Sequence, residues 1–434
     1  VTGLRVLFIT QYFPPEIGAA PTRAAHFARA LARRGHRVTV VTGLPNHPGG
    51  VKDRQVGPGV TRWEDLELRR AWLFATPRKN PLTRLWNHLS FAISALPAAW
   101  KAGPQDVVLV TTPPLFVGVT ARLVAALRRA PLVLDCRDDW PHAAIAVGEM
   151  RPGWLASMLG ALAGSLYNAA LRVVCANPGM ARRLPQRGVD QGRVVLITNG
   201  ADTDVFRPSP LPERRNGEPA QVLYSGTHGL IHGMDTLLEA VERLRGRSDI
   251  RFVLVGDGVT KQSLEARAQR HGLANLEFHA SLPPAQLAEV IRESDLCVAT
   301  MMDHPFCDDV IPVKVFDYLA AGRPVVAGAR GDTAHVVESS GGGVLVPPGD
   351  AAALARAVVE LVEDPERRRR LGESGARHVR EHYARNSLGD RLAAVVEDVQ
   401  GRSRGRAVAP RPGGLHGALK RGADLLSALL AVVV

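Results

Sequence analysis

Short aliphatic and β-branched runs alternate with amphipathic stretches of helical period along nearly the whole chain, and the alternation stops once and starts again. Few folds accommodate this pattern, because strand–helix–strand units build a parallel sheet whose faces must be covered by the connecting helices. Strands are expected over 5–10, 37–42, 107–110, 132–135, 172–175 and 194–197, with helices over 22–34, 115–129, 152–170 and 178–187 between them. The interruption, RPSPLPERRNGEPA over 207–220, is polar and proline-rich and reads as a linker. Beyond it, strands are expected over 221–225, 251–255, 276–278, 296–299, 324–327 and 343–346, and helices over 233–245, 260–271, 284–293, 313–321 and 350–363. Charged helices follow over 365–400, then a Gly/Pro/Arg-rich stretch over 401–417 that reads as flexible. The fold class is therefore α/β: two doubly wound parallel-sheet halves. Such sheets bind ligands at the carboxyl ends of their strands, so two of them facing each other enclose a cleft.

Composition narrows the function classes. With 46% hydrophobic and 22% charged residues, the 434-residue chain is neither disordered nor collagen-like as a whole. Its four cysteines form no CxxC pair, which argues against a zinc site or a disulfide framework and fits a reducing cytosol. The opening VTGLRVLFIT is too short an apolar run for a signal peptide, and no interior stretch offers the ~20 apolar residues of a membrane span. The formal charge of +12 comes almost wholly from arginine, since only six lysines occur. Aromatics are 5% and no nucleic-acid-binding motif is present, so nucleic acid is not expected as a partner. Two basic clusters, 78–103 and Arg402, Arg404, Arg406, Arg411, Lys420 and Arg421, suit anionic lipid head groups or acidic lipid-linked substrates.

Four loops carry candidate chemistry. Gly18 stands where the first strand's loop meets a helix, and its missing side chain lets backbone N–H groups approach a phosphate. Ser225-Gly226-Thr227-His228-Gly229 repeats that arrangement in the second half. Gly256-Asp257-Gly258 is only half of a dinucleotide fingerprint, so no nicotinamide or flavin is expected. Cys136 to His142 follows a strand end and places Asp138 and Asp139 toward the cleft; two adjacent acids without further ligands do not make a metal site. In the segment DDVIPVKVFDYLAAGRPVV, a helix beginning near Pro312 would set Asp309 in the loop before it and Asp317 inside it. Both carboxylates could then flank one bound molecule and accept from sugar or ribose hydroxyls, with Lys314 offsetting a diphosphate.

These segments, with ITNGADTDVFRP, VLVGDGVTKQSL and VPPGD, resemble glycosyltransferase family 4, retaining enzymes of the two-Rossmann GT-B fold. The similarity spans about 4–400 and is nearest to the subgroup of N-acetyl-L-fucosamine transferases of O-antigen and capsule clusters, which share the Tyr-Phe-Pro-Pro-Glu opening and the Arg-Asp-x-Trp-Pro loop. The resemblance implies that Asp309 touches the donor sugar and Asp317 the ribose, where the family has glutamates. It implies Gly18, Gly226 and Thr227 at the diphosphate, Asp138 at the acceptor or reacting sugar, and Leu282 near the base. The family's usual Arg and Lys of the second diphosphate loop fall on Thr227 and His232, so Lys314, Lys261 or Arg323 would compensate. His142 and Val313 replace the subgroup's usual glutamate and serine.

The implied activity is transfer from a nucleotide sugar, UDP-linked, to a polyprenyl-diphosphate-linked acceptor in cell-surface polysaccharide synthesis. No cofactor or metal is implied, and the place is the inner face of the cytoplasmic membrane. The implied layout is an acceptor-binding domain over 1–206, a linker over 207–220 and a nucleotide-sugar domain over 221–384. A helix over 385–400 would pack back on the first half, and a basic tail would follow over 401–434. The last residues, LKRGADLLSALLAVVV over 419–434, resemble the start of bacterial polyprenyl-phosphate sugar transferases, which implies a fused or partner phosphoglycosyl transferase. A nucleotide-sugar 2-epimerase and an inactive nucleotide-sugar-binding module remain the alternatives.

Overall fold

A computed structural model describes residues 3–46, 50, 56–78, 80–146, 148, 150–214 and 217–407. The first half forms one eight-stranded sheet from β1 (Arg5–Ile9), β2 (Arg37–Gly43), β3 (Gly59–Trp63), β4 (Leu66–Ala71), β5 (Val107–Thr112), β6 (Leu132–Cys136), β7 (Arg172–Cys175) and β8 (Val194–Leu196). Its order is β3-β4-β2-β1-β5-β6-β7-β8, parallel except for the β3–β4 pair. The second half forms a six-stranded parallel sheet from β9 (Ala220–Ser225), β10 (Ile250–Val255), β11 (Leu276–His279), β12 (Leu296–Thr300), β13 (Val325–Gly328) and β14 (Gly343–Val346). Here the order is β11-β10-β9-β12-β13-β14. The central strands are aliphatic runs buried on both faces, as a helix-covered parallel sheet requires. Strand order reverses beside β1 and β5 in one sheet and beside β9 and β12 in the other, and those reversals open the crevices that take ligands.

The β3–β4 hairpin, the short helix His142–Ala146 and the helix Gly331–Ser340 were not anticipated. The β3–β4 hairpin reads GVTRWEDLELRRA, too arginine-rich to look like a strand pair. Its period-two pattern nevertheless buries Leu66 and Leu68, while Glu67 pairs with Arg69 at 2.8 Å. The helix Gly331–Ser340 was likewise hidden by its polar composition.

The final helix, Arg385–Ala407, returns to the first half, where Leu388, Leu392, Val396 and Val399 join Val6, Phe8 and Leu31 in one core. Ion pairs Arg34–Glu397 (2.9 Å) and Arg172–Asp398 (2.7 Å) fasten it. The helix passes Gly401, which corrects the flexible stretch expected to begin there; Arg402 bridges Asp398 one turn back at 2.8 Å and carries the helix on. Residues 408–434, with Arg411, Lys420, Arg421 and the apolar C-terminal run, lie outside the described residues. Among the described residues no helix is long and apolar enough to cross a membrane.

Arg323 was expected to help hold a diphosphate, and the structure corrects this. It is fully buried, and its guanidinium donates to the carbonyls of Ile291 (3.1 Å), Ser209 (2.9 Å), Pro210 (2.9 Å) and Arg292 (2.6 Å). It ties the linker to the second domain. Arg323→Ala should therefore leave several buried carbonyls unpaired and lower stability by at least about 3 kcal/mol, read as a lower thermal midpoint.

Candidate active site

Two helix starts open onto one pocket between the halves. Gly18 (φ 141°) precedes the helix Ala19–Arg33 and Pro312 precedes the helix Val313–Ala320, and no side chain caps either of them. The first residues of both helices, Ala19 and Val313, line one small pocket together with Thr22, Asn199, Gly200 and Arg385. Two positive dipole ends meeting at one cavity favour an anion. The first start is held in place by Arg23, whose buried guanidinium pairs with Asp135 at 2.8 Å and donates to the Ile197 and Thr198 carbonyls at 2.8 and 2.9 Å.

The strongest anion signal lies at the end of β9. Lys314 is buried, and its Nζ sits 3.5 Å from the centre of the Tyr224 ring with no hydrogen-bond acceptor. It points at the glycine loop: a Cβ on Gly226, which has a φ of 116°, would come within 3.4 Å of Nζ. Gly226 and Thr227 themselves are exposed to the cleft. Behind them, His228 is fully buried with both ring nitrogens unpartnered, and His232 Nδ1 is also unpartnered. Burial pushes Lys314 well below the usual amine range, and holds His228 near about 4 and His232 near about 3. Buried polar atoms in native proteins are normally paired, so this cluster of unpartnered basic nitrogens is chemically suited to an anion.

Asp317 is buried on the same helix and is reached by Arg385 Nη2 at 3.6 Å, while Arg385 Nε donates to the Gly200 carbonyl at 2.7 Å. Burial outweighs the pull of Arg385 and lifts the Asp317 carboxyl to about 7. Asp309 is placed differently. It ends the short turn Pro305–Asp309 and pairs across the cleft with Arg182 (3.3 Å) and Arg183 on the helix Pro178–Gln186. Arg182 also meets Asp332 at 3.0 Å, and the Gly179 N–H donates to Asp332 at 2.8 Å. In this structure the two carboxylates have different partners: Asp317 faces Arg385, and Asp309 belongs to an interdomain ion cluster with Arg182 and Arg183.

Asp138 opens into the cleft, where the surrounding walls desolvate its carboxyl and raise it above the usual value despite Arg137. Its neighbour Asp139 is buried and paired with Arg183 (3.4 Å) and Arg187 (2.8 Å), so Arg183 connects this loop to Asp309. His142 faces Phe306 of the other domain at 6.5 Å between ring centres. Lys261 donates to the Gly256 and His279 carbonyls at 2.9 and 2.8 Å, which fastens two loops rather than presenting a free ammonium. Leu282 is half-buried against the second domain's core. Among the described residues no group of three His, Cys, Asp or Glu side chains gathers as metal ligands would.

Arg182, Arg183, Asp332 and Arg385 were missed by sequence reasoning. The two arginines do follow the carboxyl end of β7, where the strand-end rule could have found them. The other two reach the site only through tertiary packing.

Residues 18–200 match the family described as Glycosyl transferase 4-like domain, and residues 209–378 match Glycosyl transferases group 1. The protein named colanic acid biosynthesis glycosyl transferase WcaI, from Escherichia coli (strain K12), is 27% identical over 356 residues, 76% of this chain and 84% of WcaI. The glycosyltransferase WbjE of Pseudomonas aeruginosa is 25% identical over 67% of this chain and 75% of its own. Among solved structures, Anabaena HepE in complex with UDP superposes with a TM-score of 0.66 at 16% identity, covering 91% of this chain and 100% of HepE. Two glycosyltransferase domains in succession, on two facing parallel sheets, make this chain a GT-B glycosyltransferase with a 4-like first domain and a group 1 second domain.

Proposed function

We propose that the protein is a retaining transferase that moves a sugar from a UDP-linked donor to a polyprenyl-diphosphate-linked acceptor in cell-surface polysaccharide synthesis. The single observation that carries the donor assignment is the buried, unpartnered Lys314 Nζ behind the Gly226 loop. The UDP complex of HepE and the colanic acid role in WcaI's name support the nucleotide and the product class.

The leaving group is a nucleoside diphosphate, so the chemistry is helped by fixed positive potential where negative charge grows. Lys314 Nζ, His232 and the first-turn N–H groups of the helices Ala19–Arg33 and Val313–Ala320 would supply it. Asp317 would accept from the ribose hydroxyls, and Asp138 would meet the acceptor on the opposite wall. Front-face attack, with the leaving phosphate oxygen taking the acceptor's proton, needs no protein nucleophile. Asp309 must leave Arg182 and Arg183 to reach a donor sugar, so the ion cluster would open as the donor seats. That same cluster is what favours the second reading, a binding module in which Asp309 never becomes available.

The test is incubation with a panel of UDP-sugars and polyprenyl-diphosphate-linked sugars, read by mass spectrometry. One added sugar residue with equimolar UDP is expected, and a chelator should leave the rate unchanged. Epimerised donor without acceptor would replace this reading with the epimerase, and UDP binding with no transfer would replace it with the module.

A further inference from the structure

The loop after β1 and the helix Pro81–Trp100 are joined by a chain of amide groups. Gln11 is buried where β1 ends, and its carbonyl accepts from the Gly43 N–H (3.1 Å) and the Thr42 hydroxyl (3.2 Å) at the end of β2. Its side chain reaches two neighbours on the helix, Asn87 and His88. Tyr12, the next residue, lies in the field of Arg84, one turn before His88, and of Arg137, which adjoins Asp138 at the end of β6. The cluster therefore stands at the carboxyl ends of the first sheet's strands, on that domain's wall of the cleft.

This chain of bonds decides which nitrogen of His88 carries a proton. Asn87 Nδ2 donates to the Phe74 carbonyl at 2.6 Å, and a carbonyl only accepts, so Asn87 Oδ1 is the oxygen turned to Gln11. It takes a hydrogen bond from Gln11 Nε2 at 2.6 Å. That turns Gln11 Oε1 toward His88 Nδ1, 3.1 Å away, and the ring must carry its proton on Nδ1 to donate there. Burial, with Arg84 adding repulsion, lowers the imidazolium to about 4, so at neutral pH the ring has only that one proton. Nε2 is left with a lone pair, is accessible, and makes no hydrogen bond among the described residues.

Holding the helix against β1 needs only the Nδ1 proton. The rest of the chain fixes what the other nitrogen offers. A lone pair at the cleft repels phosphate oxygens and suits an O–H donor. The donor's diphosphate is drawn to the opposite domain, behind whose Gly226 loop Lys314 is buried, so the hydroxyls that meet this wall are those of the sugar acceptor.

We propose that His88 Nε2 takes a hydrogen bond from a hydroxyl of the acceptor sugar, through the tautomer that Gln11 and Asn87 fix. The assignment rests on the reading of the protein as a sugar transferase. It adds a specificity element to the acceptor side: a sugar hydroxyl, not the acceptor's diphosphate, is read at this point.

Two substitutions separate this role from a purely structural tie. His88→Asn keeps an N–H where Nδ1 stands and removes Nε2. His88→Gln sets an amide oxygen near the Nε2 position and gives up the Nδ1 donor. The probe is the panel of polyprenyl-diphosphate-linked sugars, with initial rates, UDP affinity and thermal midpoints measured on the full chain. His88→Asn should raise the KM for the sugar acceptor by about tenfold or more with a much smaller change in kcat, and His88→Gln should recover part of that loss. UDP should bind both variants as it binds the wild type. The reverse order, with His88→Asn at the wild-type KM and His88→Gln impaired, would overturn the proposal and leave His88 as a structural tie. Equal losses in the two variants with lowered thermal midpoints would do the same. UDP binding by the wild type with no transfer to any sugar of the panel would instead remove the transferase reading, and this assignment with it.

Discussion

Replacing Lys314 with methionine is expected to lower kcat/KM by about 10²–10³-fold while leaving the fold as stable as before or more so. The two effects have one cause. The amine is buried over the Tyr224 ring without an acceptor, and burial holds it well below the range of an exposed lysine. A depressed amine pKa means that the unfolded chain binds a proton the folded protein refuses. Between the folded value and 10.5, stability therefore rises with pH, and below that window the lysine weakens the fold. Methionine fills the same space without that cost, so the thermal midpoint at neutral pH should hold or climb. With a diphosphate beside Gly226 the same amine gains its counter-charge, and removing it should abolish that stabilisation. Lost activity with an undiminished melting temperature separates a site residue from a scaffold residue. A variant that melts early would mean that Lys314 serves the core instead.

Asp317→Asn is expected to act in opposite directions on stability and on donor affinity. Burial raises the carboxyl from 3.8 to about 7. The folded protein then keeps a proton that the unfolded chain has released, so this group's contribution is favourable at low pH and is lost as pH climbs through about 7. At pH 8, asparagine should stabilise the protein by on the order of 1–4 kcal/mol, less whatever the Arg385 pairing contributes. Near pH 4, where the aspartate is already neutral, the two proteins should melt together. Wild-type UDP affinity should follow ionisation of Asp317, whereas the variant should lose about 10–100-fold of it, the worth of a charged acceptor for ribose hydroxyls. Thermal melts at the two pH values, with UDP titrations alongside, check both signs. Equal midpoints at pH 8 would show that the carboxylate is comfortably paired by Arg385.

The sheets were legible in the sequence because buried parallel strands are nearly continuous aliphatic runs. LRVLFIT, VVLVTT and VLYS can hardly be read otherwise, and the linker announced itself through its prolines. The β3–β4 edge hairpin failed that test, since arginines and glutamates that suit a solvent-facing edge dilute the pattern. At the site, residues local to a strand end were readable: Gly18, Gly226, Asp138 and Lys314 all sit on such loops or the helices after them. What escaped was decided by partners far along the chain. Asp309 looks like a free carboxylate until the helix Pro178–Gln186 brings Arg182 and Arg183 to it, some 127 residues away. Arg323 looks like a phosphate ligand until the linker's carbonyls surround it.

The central claim is that the cleft takes a nucleoside diphosphate with Lys314 as its buried counter-charge. The direct measurement is calorimetric titration of UDP into the wild type and into Lys314→Met, each in two buffers of different ionisation enthalpy. The account predicts that the wild type binds UDP with net proton uptake, as His232 acquires charge, and that the methionine variant binds at least about 100-fold more weakly. Equal affinity of the two proteins for UDP would contradict it.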